Sequence, residues 1–237
     1  MGQRTTTLGY DYGTNCVNGT GNLIFSIDPN GVKTAYSYGD ALDRLTQIRR
    51  IADTPAESQT NIVYNGATDV NVYRDQSTKG DEKLHSETIY DGFGRESESR
   101  QYESADVYIS TSKSYDALGR LASVTNPSRV TNGQSDGLGY ATKMSYDALS
   151  RVISVKTPDG AATTTSYTGN QTTVTDAAGK SRQYTNNALG MLTKVVEDPN
   201  GLNYTTSYQY DALADLTQVT QGSETRSFGY DSVGRLL

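Results

Sequence analysis

Tyr115-Asp116-Ala117-Leu118-Gly119-Arg120-Leu121 returns, more or less altered, along the whole 237-residue chain. Tyr146-Asp147-Ala148-Leu149-Ser150-Arg151-Val152 repeats it with few changes. Tyr90-Asp91-Gly92-Phe93-Gly94-Arg95, Tyr210-Asp211-Ala212-Leu213-Ala214-Asp215-Leu216 and Tyr230-Asp231-Ser232-Val233-Gly234-Arg235-Leu236 are further copies. Self-similarity at a fixed spacing is the signature of a repeat architecture and settles the fold class before any local reading.

The opening Tyr of each copy sets the frame. A first, weak copy is placed at Tyr12, the next at Tyr38 with Gly39 inserted before Asp40, and a degenerate one at Tyr64-Asn65-Gly66. Tyr90, Tyr115 and Tyr146 follow, then Tyr167 with only a short turn, Tyr184, Tyr210 and Tyr230. The steps are 26, 26, 26, 25, 31, 21, 17, 26 and 20, so insertions and deletions disturb a period near 26. We therefore expect residues 1–237 to form a single repeat array.

Each copy carries a second turn signal. Asp28-Pro29-Asn30-Gly31, Pro158-Asp159-Gly160, Asp176-Ala177-Ala178-Gly179 and Asp198-Pro199-Asn200-Gly201 each precede a Thr- and Tyr-rich run. Pro presets φ, Asp or Asn accepts from the local backbone, and Gly takes positive φ. One repeat thus reads turn, strand, turn, strand. Alternation at Tyr36/Tyr38, Met144/Tyr146 and Tyr208/Tyr210 marks the entering strand. The leaving strand breaks alternation, since Leu45 and Ile48, Val152 and Val155, and Leu192 and Val195 are three apart. Such residues face opposite ways on a regular strand, so a bulge beside the turn is expected. The predicted fold is all-β: tandem antiparallel hairpins in a curved or spiralling sheet.

Motif chemistry follows from this geometry. Tyr90, Tyr115, Tyr146, Tyr210 and Tyr230 end a strand and pack on the next hairpin. Asp91, Asp116, Asp147, Asp211 and Asp231 cap backbone N–H groups. Gly94, Gly119 and Gly234 supply a left-handed residue. Arg95, Arg120, Arg151 and Arg235 reach an Asp and cover a Tyr ring, and Leu121 starts the return strand. Met191 and Asp215 replace that Arg, so their turns are expected to be weaker.

Composition agrees with strands and turns. Hydrophobic residues are 34%, with 18 Tyr, 3 Phe and no Trp, which favours polar-tipped packing because a buried Tyr needs a hydroxyl partner. A net charge of −6 with scattered Lys and Arg argues against nucleic acid, whose binding rests on phosphate neutralisation. Arg49-Arg50 reads as a solvated pair. Cys16 is the single cysteine, excluding an internal disulfide or a thiolate metal site. No apolar run approaches the ~18 residues of a membrane span.

The sequence presents no catalytic constellation and calls for no metal and no cofactor. His85 is the lone histidine and reads as an exposed loop residue. Asp176 to Ser181 lacks the first Gly of a phosphate loop, Val174 standing in its place. The turn aspartates recur with the repeat, whereas a glycosidase pair is singular, and no loop has the alternating ligands of a Ca²⁺ site. Rows of Tyr suit inter-hairpin packing, with sugar stacking as the competing use.

The pattern resembles the YD-repeat, or Rhs (rearrangement hotspot), family, through Asp198-Pro199-Asn200-Gly201, Tyr208-Gln209-Tyr210-Asp211 and Tyr115–Leu121 with Val124. The resemblance implies a ribbon of hairpins winding into a hollow β-shell, which in bacterial members wraps a C-terminal toxin and in animal teneurins serves adhesion. The family's self-cleaving core and variable tail have no counterpart here, so no catalytic residue carries over. The chain stops at Leu237 just after a motif turn, and we expect it to be part of a longer polypeptide. The resemblance further implies a secreted or surface protein whose partners are its own core and tail, with a glycan or cell-surface protein as the alternative. Open strand edges would permit edge-to-edge self-association.

Overall fold

The structure is a computed structural model that describes residues 5–11, 21–136 and 140–237. In chain order its strands are β1 (Thr7–Tyr10), β2 (Leu23–Ile27), β3 (Lys33–Tyr38), β4 (Leu45–Arg50), β5 (Ser58–Asn65), β6 (Asp69–Arg74) and β7 (Leu84–Tyr90). Next come β8 (Glu96–Ser104), β9 (Val107–Tyr115), β10 (Leu121–Thr125), β11 (Ser128–Thr131), β12 (Gln134–Ser135), β13 (Ala141–Tyr146) and β14 (Val152–Lys156). The series closes with β15 (Ala162–Thr168), β16 (Gln171–Thr175), β17 (Ser181–Asn186), β18 (Leu192–Glu197), β19 (Tyr204–Tyr210), β20 (Leu216–Gln221) and β21 (Glu224–Ser227). Among the described residues there is no helix, and so none long and apolar enough to cross a membrane. The expected all-β hairpin array is what the chain forms.

Two compact units divide the chain: Met1–Ser114 with Thr125–Tyr140, and Tyr115–Val124 with Ala141–Leu237. In the first, β1 to β9 pair in sequence order, and β11 and then β12 continue from β9. In the second, β10 lies beside β13, and β13 to β21 pair in sequence order. Among the described residues these strand pairs are antiparallel, as short turns between consecutive strands require.

The broken alternation is a bulge. Tyr38 faces Leu45 while Ser37 faces Gln47, which leaves Thr46 as the extra residue. The same shift places Tyr90 opposite Glu96, Tyr146 opposite Val152, Asn186 opposite Leu192 and Tyr210 opposite Leu216. The phase change puts Leu45 and Ile48 on one face, opposite Tyr38 and Tyr36. Tyr12 lies outside the described residues. Within them Tyr10 takes the motif position, opposite Leu23 across the same shift, and the Asp11 N–H donates to the Asn22 carbonyl at 2.9 Å.

Little apolar surface is sealed. Among the described residues the buried hydrophobic ones are Ala35, Ala52, Val130, Val195 and Val196, and no large side chain is fully buried. Glu57, Asn71, Glu87 and Ser110 are buried polar residues. Order therefore rests on the hydrogen-bond ladder and on the side-chain ties between repeats more than on a core.

Candidate functional site

The motif turn is a fixed hydrogen-bonding device. In Asp116–Arg120 the Asp116 N–H donates to the Arg120 carbonyl and the Gly119 N–H to the Asp116 carbonyl, both at 2.9 Å. Oδ1 of Asp116 accepts the N–H groups of Leu118 and Arg120 at 2.9 Å, and Arg120 Nε reaches Oδ2 at 2.7 Å. Asp91–Arg95, Asp147–Arg151 and Asp231–Arg235 repeat both the caps and the ion pair. The Asp116 carboxyl lies below its ordinary range because the Arg120 N–H donates to it, its partial burial opposes this, and the guanidinium reinforces it. Gly94, Gly119 and Gly234 take φ of 76°, 81° and 76°, whereas Asp43, Ser150 and Ala214 hold the same position at 57°, 63° and 69°.

The caps survive where the Arg is lost. Oδ1 of Asn187 accepts from Met191 N–H, and Oδ1 of Asp211 from Asp215 N–H, each at 3.0 Å. Asp28 and Asp176, on the other rim, make the same caps, so Asp176–Lys180 is a structural turn. Asp198–Gly201 departs from the expectation. Positive φ falls on Asp198 (51°) and Asn203 (58°) instead of Gly201, because Leu202 and Asn203 lengthen the loop before β19. Gly201 is needed there for space, as an added Cβ would lie 2.3 Å from Asp198 Oδ2.

Successive repeats are tied through the Tyr. The Tyr146 hydroxyl donates to the Leu121 carbonyl at 2.8 Å, and the Arg120 guanidinium lies 4.6 Å from the centre of the Tyr146 ring. Tyr146 is thus held at both ends by the copy before it. Tyr64 donates to Leu45 (3.0 Å) under Arg44 (3.8 Å), and Tyr167 to Val152 (3.2 Å) under Arg151 (4.0 Å). Tyr38, Tyr210 and Tyr230 donate to the carbonyls of Leu23, Leu192 and Leu216. The copies at Tyr64 and Tyr167, degenerate by sequence, keep this tie. Arg120 is 22% exposed and Arg235 is 80% exposed. Tyr90 and Tyr115 end β7 and β9 half-buried, and Arg95 turns over Phe93 of its own loop at 5.1 Å.

A further component escaped sequence reading. The bulged residue carries a hydroxyl in four copies, and that hydroxyl donates to the carbonyl just before the motif Tyr or its Asn186 counterpart. Thr46 bonds Ser37 (3.2 Å), Ser97 bonds Ile89 (3.1 Å), Thr193 bonds Thr185 (3.0 Å) and Thr217 bonds Gln209 (3.2 Å). A Thr or Ser directly after the first leaving residue was the available signal.

Two expectations are overturned in the first unit. His85 sits on β7, not in a loop, between Tyr73 (4.3 Å) and Tyr102 (4.0 Å), with Nε2 2.6 Å from Asn71 Oδ1. Register brings these rings together, since Tyr73 pairs with His85 and Tyr102 lies on the neighbouring strand. Arg50 is exposed as expected, but Arg49 is only 30% exposed and is held by carboxylates. It contacts Asp53 (3.2 Å) and Glu57 (3.3 Å), and Lys79 joins the other Glu57 oxygen at 3.1 Å. Donation by the Gln59 amide and the Asp53 N–H holds the Glu57 carboxyl down to about 2, with Lys79 adding to it against the cost of burial. Among the described residues no group of three His, Cys, Asp or Glu could hold a metal ion.

Residues 17–54 match the family model described as RHS Repeat, so the chain carries an RHS repeat. That segment contains β2, the Asp28 turn, β3, the Asp40 turn and β4. A search of curated proteins finds no match. Among solved structures, the chain is similar to a chain of the TcdB2-TccC3-Cdc42 crystal structure at 14% identity and TM-score 0.46, covering 98% of this chain and 15% of that one. It is similar to a chain of the Photorhabdus luminescens Tc holotoxin pore at 14% identity and TM-score 0.45, covering 98% of this chain and 14% of that one. The chain therefore spans about 15% of the length of the solved chains it matches.

Proposed function

We propose that this chain is a non-enzymatic structural segment of a longer secreted or surface-associated protein, where its hairpins form part of a β-shell that encloses or displays a toxin or other effector. One observation carries this reading. The Tyr, Asp and Arg of the motif are spent on holding repeat to repeat, as in the Leu121–Tyr146–Arg120 tie. The RHS repeat at residues 17–54 and the scarcity of buried apolar side chains support it. The test is the size of the native polypeptide, by immunoblot of source cells with an antibody against this segment. A band far above 25.7 kDa is expected, and a band at that mass would reject the reading.

Glycan or protein binding is the second reading, and Tyr204 favours it. This residue is 61% exposed and borders a recess of about 350 Å³ that Arg182 and Glu197 also line. Tyr208, by contrast, packs opposite Val219 on β20. Saturable binding on a glycan array, lost in Tyr204→Ala with the strand signal in circular dichroism unchanged, would establish it.

A further inference from the structure

The tips of the motif hairpins are apolar where the turn has no need of it. Leu118, Leu149, Leu189, Leu213 and Val233 of the second unit are 72%, 74%, 80%, 80% and 71% exposed. Each contributes its backbone N–H to the preceding Asp or Asn, and a polar side chain would leave that cap intact. The turn charges are drawn back from the tip, because Asp116, Asp147 and Asp231 pair inward with their Arg. The turns at Leu149, Leu189, Leu213 and Val233 follow β13, β17, β19 and β21, which run the same way and so share one rim, and the Leu118 turn lies beside the first of them, where Arg120 donates to the Asp147 carbonyl. Four tips carry Ala before the Leu, at Ala117, Ala148, Ala188 and Ala212, which gives knobs beside small hollows. On the opposite rim, tips such as Asp159-Gly160 and Gly222-Ser223 are polar or small, with Leu202 the exception at 71% exposed.

We propose that this rim docks tip to tip onto the same rim of a second copy of the chain. Spacing selects the occupant. The tips at Leu189, Leu213 and Val233 are two strands apart, roughly 9.5 Å since strands lie about 4.8 Å apart, while the polar Gly169-Asn170 turn stands between Leu149 and Leu189. A helix repeats every ~5.4 Å along its axis and drifts out of step with such a row. Another rim of the same hairpins matches it by construction and offers hollows for its knobs. The area fits a reversible contact. Five side chains at roughly 100 Å² each give about 500 Å² per copy, and about 1,000 Å² in total lies at the lower bound of specific interfaces. This contact is distinct from pairing at the open strand edges, because it uses side chains at the ends of strands and no backbone hydrogen bonds.

The test is sedimentation equilibrium of the full chain from micromolar to millimolar concentration. A monomer–dimer equilibrium is expected that persists in 1 M NaCl. The triple variant Leu118→Ser, Leu189→Ser and Leu213→Ser should stay monomeric throughout, with unchanged circular dichroism and melting temperature. An edge variant, Thr225→Pro on β21, should still dimerise. Wild-type chain that stays monomeric would overturn the proposal, as would a folded triple variant that dimerises like wild type, or loss of the dimer in the edge variant alone. If the triple variant does not fold, cross-linking decides. In a Cys16→Ser background, Leu213→Cys should be joined by a short bismaleimide far more than Ser223→Cys on the opposite rim. Equal yields would reject the rim contact.

Discussion

The Tyr146 hydroxyl donates to the carbonyl of Leu121 at 2.8 Å, and Arg120, the residue before that Leu, covers the Tyr146 ring. One side chain thereby reads both the backbone and the guanidinium of the preceding repeat. Tyr146→Phe removes the hydroxyl and keeps the ring, so it should cost about 1 kcal/mol, the usual net worth of one such bond. Tyr204→Phe, at a ring 61% exposed, should cost almost nothing. Urea denaturation of both variants checks this, and equal effects would remove the tie from the account.

Thr193 donates to the Thr185 carbonyl at 3.0 Å, from the extra residue of the bulge. Thr193→Val keeps the β-branched shape and leaves that acceptor to solvent. It should lower stability by about 1 kcal/mol. Thr193→Ser retains the hydroxyl and should recover most of the loss, which distinguishes the bond from simple packing.

Backbone conformation alone separates two further variants. Gly94 sits at φ 76° with nothing within 4 Å of an added Cβ, so Gly94→Ala should cost about 1 kcal/mol from conformation only. Ala214 already occupies that region at φ 69°, and Ala214→Gly should stabilise by a similar amount. Thermal unfolding measures both, and the same sign for the two would contradict the assignment.

The hairpin period was legible because the turn constrains residue type at each step: an acceptor at Asp116, a left-handed residue at Gly119, a cation at Arg120. The same local logic exposed the bulge through the spacing of Leu45 and Ile48. Asp198 was misread because a matching tetrapeptide does not report the two residues that lengthen its loop. His85 was misread for a different reason: its partners Tyr73 and Tyr102 are distant in sequence, and only strand register brings them against it. The Arg49–Glu57–Lys79 cluster needed two loops placed side by side. Sequence reported what one hairpin needs, and missed contacts set by neighbouring strands.

The turns that lost their Arg offer a comparison within one molecule. Asn187–Met191 and Asp211–Asp215 keep both caps of Asp116–Arg120 and lack its ion pair and ring cover. Amide exchange should therefore be faster at Met191 and Asp215 than at Arg120. Equal protection at all three would mean that the caps alone hold the turn.

His85 gives the fold a sensitivity near neutral pH. Asn71 is 6% exposed and donates its amide to Asp69 at 2.8 Å, which aims its carbonyl at His85 Nε2 as an acceptor. The ring is held neutral in the stack: burial lowers its proton affinity, and attraction to Glu87 and Asp69 only partly opposes this. An unfolded chain takes up that proton near pH 6.5, before the folded chain does. Acid therefore favours unfolding, and the stability present above about pH 6.5 declines as pH falls toward the folded value. The shifted turn carboxylates act below about pH 4, outside this window. The urea midpoint should fall between pH 7.5 and pH 5.5 in wild type and much less in His85→Phe, which keeps a flat ring between Tyr73 and Tyr102. Titration of the His85 ring by NMR at or above pH 6.5, or an equal decline in the variant, would show that burial in the stack does not govern this proton.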